Sequence, residues 1–304
     1  MNSEYINLIL EEEIKFSDSL AYKYRYPDNI THLLYLIIPA FIIKYGNNYK
    51  YLIEKTFMEV PIRINDKQDN VYQAYYYSIP EYKDGVIITT KGIVLQNYNN
   101  ISLMQLLENL VHEYNHAINS IKNEIIIDND IKIRTGISYN YFNNNLAFIK
   151  KSDTITLEEV INTKQTESII NIIRDFKNYN IQDINISNTL YSINHSVGLG
   201  YKSNSYLLES IVCRKLMENK TFIATFEKLR FEGQVDDLPI WFDNITGING
   251  SFYKLTSLLS KILNLSQELS ITKWFKNMKI NKIRALTSEA LEIVENFNNN
   301  TIYK

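Results

Sequence analysis

The residues best suited to chemistry are His112-Glu113-Tyr114-Asn115-His116, a His-Glu-x-x-His pattern. In a helix, positions four apart lie one turn apart on the same face. His112 and His116 then aim two imidazole nitrogens at one point, and Glu113 stands beside it. Two neutral nitrogen ligands with an adjacent carboxylate are what hydrolytic zinc chemistry needs: a grip on the ion and a base for the water it activates. The chain has only four histidines in 304 residues, so the pair is not a by-product of a histidine-rich composition.

A helix must position the pair, and the sequence supplies one. Leu103, Leu106, Leu107, Leu110, Val111, Tyr114, Ala117 and Ile118 recur at helical spacing and form one apolar stripe. Ser102 with Gln105 makes a capping box at its start, and the helix is expected to end around Lys122. At about 100° per residue, His112 and His116 fall opposite the centre of the stripe. They are expected to face a cleft or solvent. The plain alternative is two exposed histidines on an amphipathic helix.

A catalytic zinc takes three protein ligands and keeps one position for water. No third histidine follows at short spacing, so a carboxylate from a later helix is the natural candidate. A long helix is expected from Thr156 to near Lys177. Near its start lies Leu157-Glu158-Glu159-Val160-Ile161-Asn162. Together with the histidine pair, this resembles the gluzincins, the metallopeptidase group related to thermolysin, over about residues 100–176. In that group a Glu on a second helix completes the metal shell, which implies His112, His116 and Glu159 as ligands of Zn²⁺. Glu113 is then the general base. Asn162 stands where the group usually has Thr, and Thr163 where it has an acidic partner.

Alternatives to Glu159 stay open. Thr156-x-x-Glu159 also reads as a capping box. The helical wheel puts Glu158, not Glu159, nearest the buried face. Glu167 and Glu209 also lie on expected helices. The group uses a Tyr or His to stabilise the oxyanion, and His195, Tyr191 and Tyr201 qualify by residue type. These three fall in Tyr191–Tyr201, which reads as a loop.

The resemblance implies a zinc metallopeptidase acting on a peptide or protein substrate. The exopeptidase motif Gly-x-Met-x-Asn is absent, which favours an endopeptidase. A non-catalytic zinc-binding or protein-interaction protein with a zincin-like fold is the main alternative. A zinc hydrolase of non-peptide amides and a secreted effector protease are others.

The remaining elements read as α+β and mostly helical. Residues 1–60 carry three helices, the second capped by Asp28 or Asn29. Residues 61–180 hold a small antiparallel sheet next to the His-Glu-x-x-His helix, a hairpin over 124–141 and the third-ligand helix. Residues 181–304 form a helical C-terminal lobe with its sharpest break at Asp236-Asp237-Leu238-Pro239. The three parts may equally be one continuous domain.

Composition narrows the classes further. Net charge is −2, which argues against a nucleic-acid partner. The single cysteine, Cys213, excludes an intrachain disulfide and is expected to be buried. The most apolar window, Leu33–Ile43, is too short to span a bilayer. The N-terminus shows no basic, then apolar, leader pattern, so the default expectation is a cytoplasmic protein, or a secreted one if a leader was removed. The lysines around Lys273 and Lys279 are expected to form a solvated face.

Overall fold

The computed structural model describes residues 3–65, 73–179, 181, 183–197, 207–271 and 276–301. The fold is α+β and mostly helical. Its contacts divide the chain into two units, each built from two stretches: residues 1–118 with 164–203, and residues 119–163 with 204–304.

The first unit is organised on α2 (Asp28–Tyr45), which is buried almost continuously from Ile30 to Ile42. An all-apolar helix has no face to give to solvent, so other elements cover it. α1 (Ser3–Tyr24) and α3 (Lys50–Glu59) pack against it. α2 runs unbroken through Pro39. Pro27, rather than Asp28 or Asn29, occupies its N-cap, with no side-chain cap bond; Asp28 falls in the first turn.

Three strands follow, β1 (Ile62–Asn65), β2 (Ala74–Lys83) and β3 (Val86–Gln96). The β2–β3 hairpin turns at Asp84 and Gly85, both at positive φ (52° and 79°), which matches the twist of the flanking strands. The sheet order is β1-β3-β2, with β1 parallel to β3. The sheet is therefore mixed, not antiparallel as expected: alternation of apolar residues marks a strand but carries no direction. The start of the aromatic run, Val71 and Tyr72, lies outside the described residues. α4 (Leu103–Ile118) packs on the edge strand β2 and on α3.

In the second unit a four-stranded antiparallel meander runs β4 (Ile125–Ile127), β5 (Ile131–Thr135), β6 (Ser138–Phe142) and β7 (Phe148–Lys151). The hairpin expected over 124–141 is present, turning at 128–130, and β6–β7 extend it. α5 (Ile155–Asp175) begins in this unit and continues, from Lys164, in the first.

The last helices of the second unit are α7 (Leu207–Glu218), α8 (Lys220–Glu232), α9 (Asp237–Thr246), α10 (Ser251–Ile271) and α11 (Lys276–Thr301). Their core holds Cys213, Phe222, Phe226, Phe242, Phe252 and Phe297. Phe242 and Phe297 stack with centroids 4.5 Å apart. Burying each such ring contributes about 1.5–3 kcal/mol. The Asp236–Pro239 break proves to be the entrance of α9, with Pro239 in its first turn, where a missing N–H costs nothing. Lys273 lies outside the described residues, and Lys279 pairs with Glu268 at 2.8 Å.

α6 (Ile184–Val197), in the first unit, occupies the stretch expected as a loop from Tyr191. Ile186, Leu190 and Ile193 are buried at helical spacing, and that stripe outweighs the turn-forming Ser and Asn around it. No single helix among the described residues is long and apolar enough to cross a membrane.

Candidate metal centre

The capping box at the head of α4 forms as the sequence implies. The Gln105 N–H donates to Ser102 Oγ at 3.3 Å, and the Ser102 N–H donates to Gln105 Oε1 at 3.2 Å. Beyond the first turn the helix is covered on both sides. Leu106, Leu107, Leu110 and Val111 are buried, and so is His116, at 3% exposure. The expectation that both histidines face a cleft or solvent is therefore corrected: His116 is interior and His112 half-buried. Polar packing on the second face explains it, since neighbours there supply partners for buried imidazole and amide groups.

Those neighbours fix α4 precisely in the first unit. Tyr114 donates to the Val60 carbonyl at 3.1 Å and packs its ring on Phe57, centroids 4.0 Å apart. Asn115 is fully buried; its Oδ1 accepts from the Tyr45 hydroxyl at 2.5 Å, and its Nδ2 donates to Gln165 Oε1 at 2.9 Å. Gln165 is on α5, so a buried amide pair links the helix of the histidines to the helix of Glu159.

The two Nε2 atoms lie 3.2 Å apart, with the rings crossing at 82°. Two ligands of a tetrahedral zinc, each bonded at roughly 2.0–2.1 Å, sit roughly 3.3 Å apart. The imidazole spacing is compatible with such an ion, as it is with a direct N–H···N hydrogen bond between the rings. His112, His116 and Glu159 each offer one possible ligand atom, a ring nitrogen or a carboxylate oxygen, within 4.8 Å of one another. Two imidazoles and one half-buried carboxylate are a donor set that could hold a metal ion.

Glu113 is buried at 9% exposure, and its Oε2 accepts the Tyr76 backbone N–H at 2.6 Å. That N–H belongs to the edge strand β2, whose other side pairs with β3. One oxygen of the carboxylate is thus held while the other can meet a proton.

The rival carboxylates have other duties. Glu158 is fully buried, as its wheel position implies; its Oε2 accepts the Ile137 N–H at 2.9 Å and its Oε1 pairs with Arg230. Glu167 bonds Lys164 at 2.8 Å. The side chain of Glu209 lies outside the described residues. The capping-box reading of Glu159 fails on register: α5 begins at Ile155, so Thr156 is already inside the helix and bonds Ser260 Oγ at 3.0 Å.

Two buried arginines stand with Glu158. Arg230, fully buried, also donates to Asn162 Oδ1 at 2.9 Å. Arg134, equally buried, donates to the carbonyls of Asn119 and Gly136 at 2.6 Å, and burial pushes its pKa down to about 10. Gly136 sits at φ 59°, and a Cβ there would overlap the Glu158 carboxylate. The signal available in the sequence was Glu158 itself: a carboxylate on a buried helix face requires a cation.

His195 lies near the end of α6, exposed, its ring tilted against Tyr191 with centroids 3.8 Å apart. Its Nδ1 bonds the Tyr191 carbonyl at 2.9 Å. His195 is not part of the His112, His116 and Glu159 group, and Tyr201 lies outside the described residues. Comparison with protein-family models, with curated proteins and with solved structures finds no match for this chain.

Proposed function

We propose that the protein is a zinc-dependent metallopeptidase, with His112, His116 and Glu159 holding the ion and Glu113 as general base. The observation that carries this reading is the 3.2 Å spacing of the two Nε2 atoms on α4, whose histidines form with Glu159 a group that could hold a metal ion. When bound, zinc supplies a Lewis acid that lowers the pKa of water and polarises a carbonyl. Glu113, steadied by the Tyr76 N–H, takes the proton of the attacking water and returns it to the leaving amine. β2 is the edge strand of its sheet, and strand pairing at a sheet edge favours an extended peptide over other amides.

The test joins metal analysis to cleavage. Purified wild type should contain about one zinc per chain and cut an unstructured protein substrate. Glu113→Gln should keep the zinc and lose turnover by at least about a hundredfold. Cleavage by Glu113→Gln at the wild-type rate refutes the assigned base. Zinc without cleavage in the wild type points instead to a non-catalytic zinc protein.

A further inference from the structure

A cavity of about 550 Å³ opens between the end of α5 and the length of α6, within the first unit. None of His112, Glu113, His116 or Glu159 lines it. Its volume falls in the range of small-molecule sites, about 300–1,000 Å³. Arg174, Lys177 and His195 all line it, and no described lining residue is acidic. In a chain with 34 acidic and 32 basic residues, that is a local excess of positive charge.

The walls are ordered by local bonds. Arg174, in the last turn of α5, is only 8% exposed, so its charge lies at the floor and not on a solvated rim. Ser187, Tyr191 and His195 follow one another at i, i+4 and i+8 on α6 and share one face. The Tyr191 carbonyl can only accept, so His195 Nδ1 carries the proton of that bond. Nε2 is then left for a ligand. Asn194 is oriented by the same logic. Its Nδ2 donates to the Leu190 carbonyl at 3.0 Å, which leaves Oδ1, buried and without a hydrogen-bond partner, as an acceptor.

We propose that this cavity binds a small oxyanion ligand, a phosphate monoester or a carboxylate. Lys177 and His195 hold its anionic group, with Arg174 in the same lining. Asn194 Oδ1 accepts from a hydroxyl or amino group on the same molecule, and Tyr191 packs against its carbon frame. Inorganic phosphate alone would leave most of 550 Å³ unfilled, so an organic anion fits better. The site stands on its own residues and does not depend on the metal reading.

The experiment titrates the full chain by calorimetry with inorganic phosphate, glycerol 3-phosphate and malate. In parallel, the His195 ring nitrogens are followed by NMR, which four histidines make tractable. Saturable one-site binding of an organic anion is expected, tighter than inorganic phosphate, with a shift of the His195 Nε2 signal. The better organic probe identifies the anion class. Lys177→Ala and His195→Gln should each weaken it about tenfold, the loss of one charge-assisted bond. Both residues are exposed, so these variants keep the fold. If no probe saturates by about 10 mM, or binding is unchanged in both variants, the proposal is overturned.

Discussion

Replacing Arg230 by Met removes one half of an ion pair in which both side chains are 0% exposed. The guanidinium bonds Glu158 Oε1 and Asn162 Oδ1, two residues of the first turns of α5. In Arg230→Met, Glu158 keeps the Ile137 N–H but faces an apolar neighbour. Breaking a buried pair by deleting one partner costs about 3–5 kcal/mol, because the remaining charge is neither solvated nor compensated. A domain has only about 5–15 kcal/mol in total, so the loss is a large fraction. At roughly 2–4 °C per kcal/mol for a protein of this size class, the midpoint should fall by roughly 6–20 °C.

Thermal unfolding followed by far-ultraviolet circular dichroism measures it, on wild type, Arg230→Met, Glu158→Leu and the double variant. The double variant should be more stable than Arg230→Met, since it leaves no carboxylate without its guanidinium partner. The cycle should show a coupling of about 2 kcal/mol or more. A midpoint within about 2 °C of wild type for Arg230→Met, or single effects that simply add, would refute the reasoning.

Other perturbations separate the ion-binding residues from their supports. Asn115→Ala strips the buried amide from Tyr45 and Gln165, so zinc affinity should drop by about 10–100-fold, read by competition with a chromophoric chelator. Unchanged affinity would mean the amide pair does not set the distance between the two helices. Gly136→Ala must adopt φ 59° and push aside the Glu158 carboxylate, so urea unfolding should show a loss of at least about 2 kcal/mol, and a neutral result would count against the buried cluster.

What the sequence disclosed and what it hid follow one physical line. The α4 register, its capping box and the paired histidines are local: each rests on residues within a turn or two, and all appear where the spacing put them. The α2 and α5 helices were legible for the same reason, from apolar periodicity. Direction was not: nothing in Ile62–Asn65 records that it runs parallel to Val86–Gln96. Burial of His116 was not either, because the second face of α4 is covered by polar groups, Asn115 and Glu113 among them, whose pattern reads as solvent-facing. The end of α6 from Tyr191 reads as loop in the sequence because its Ser and Asn residues favour turns, while its buried Ile and Leu stripe is sparse. Arg134 and Arg230 look in sequence like any surface cation, and only long-range folding brings Arg230 to Glu158.

The adjacent acids on α5 have opposite fates, and this constrains how the helix can change. Neighbouring residues on a helix diverge by about 100°, so one carboxylate is locked inside while the next is left near the imidazoles. Adding or deleting a single amino acid just upstream, within the helix, would rotate both out of place: the interior guanidinium would lose its counter-charge and the histidines their acidic neighbour in one step. Length variation in this protein should therefore be tolerated in the turn between β6 and β7 and excluded from the opening turns of α5.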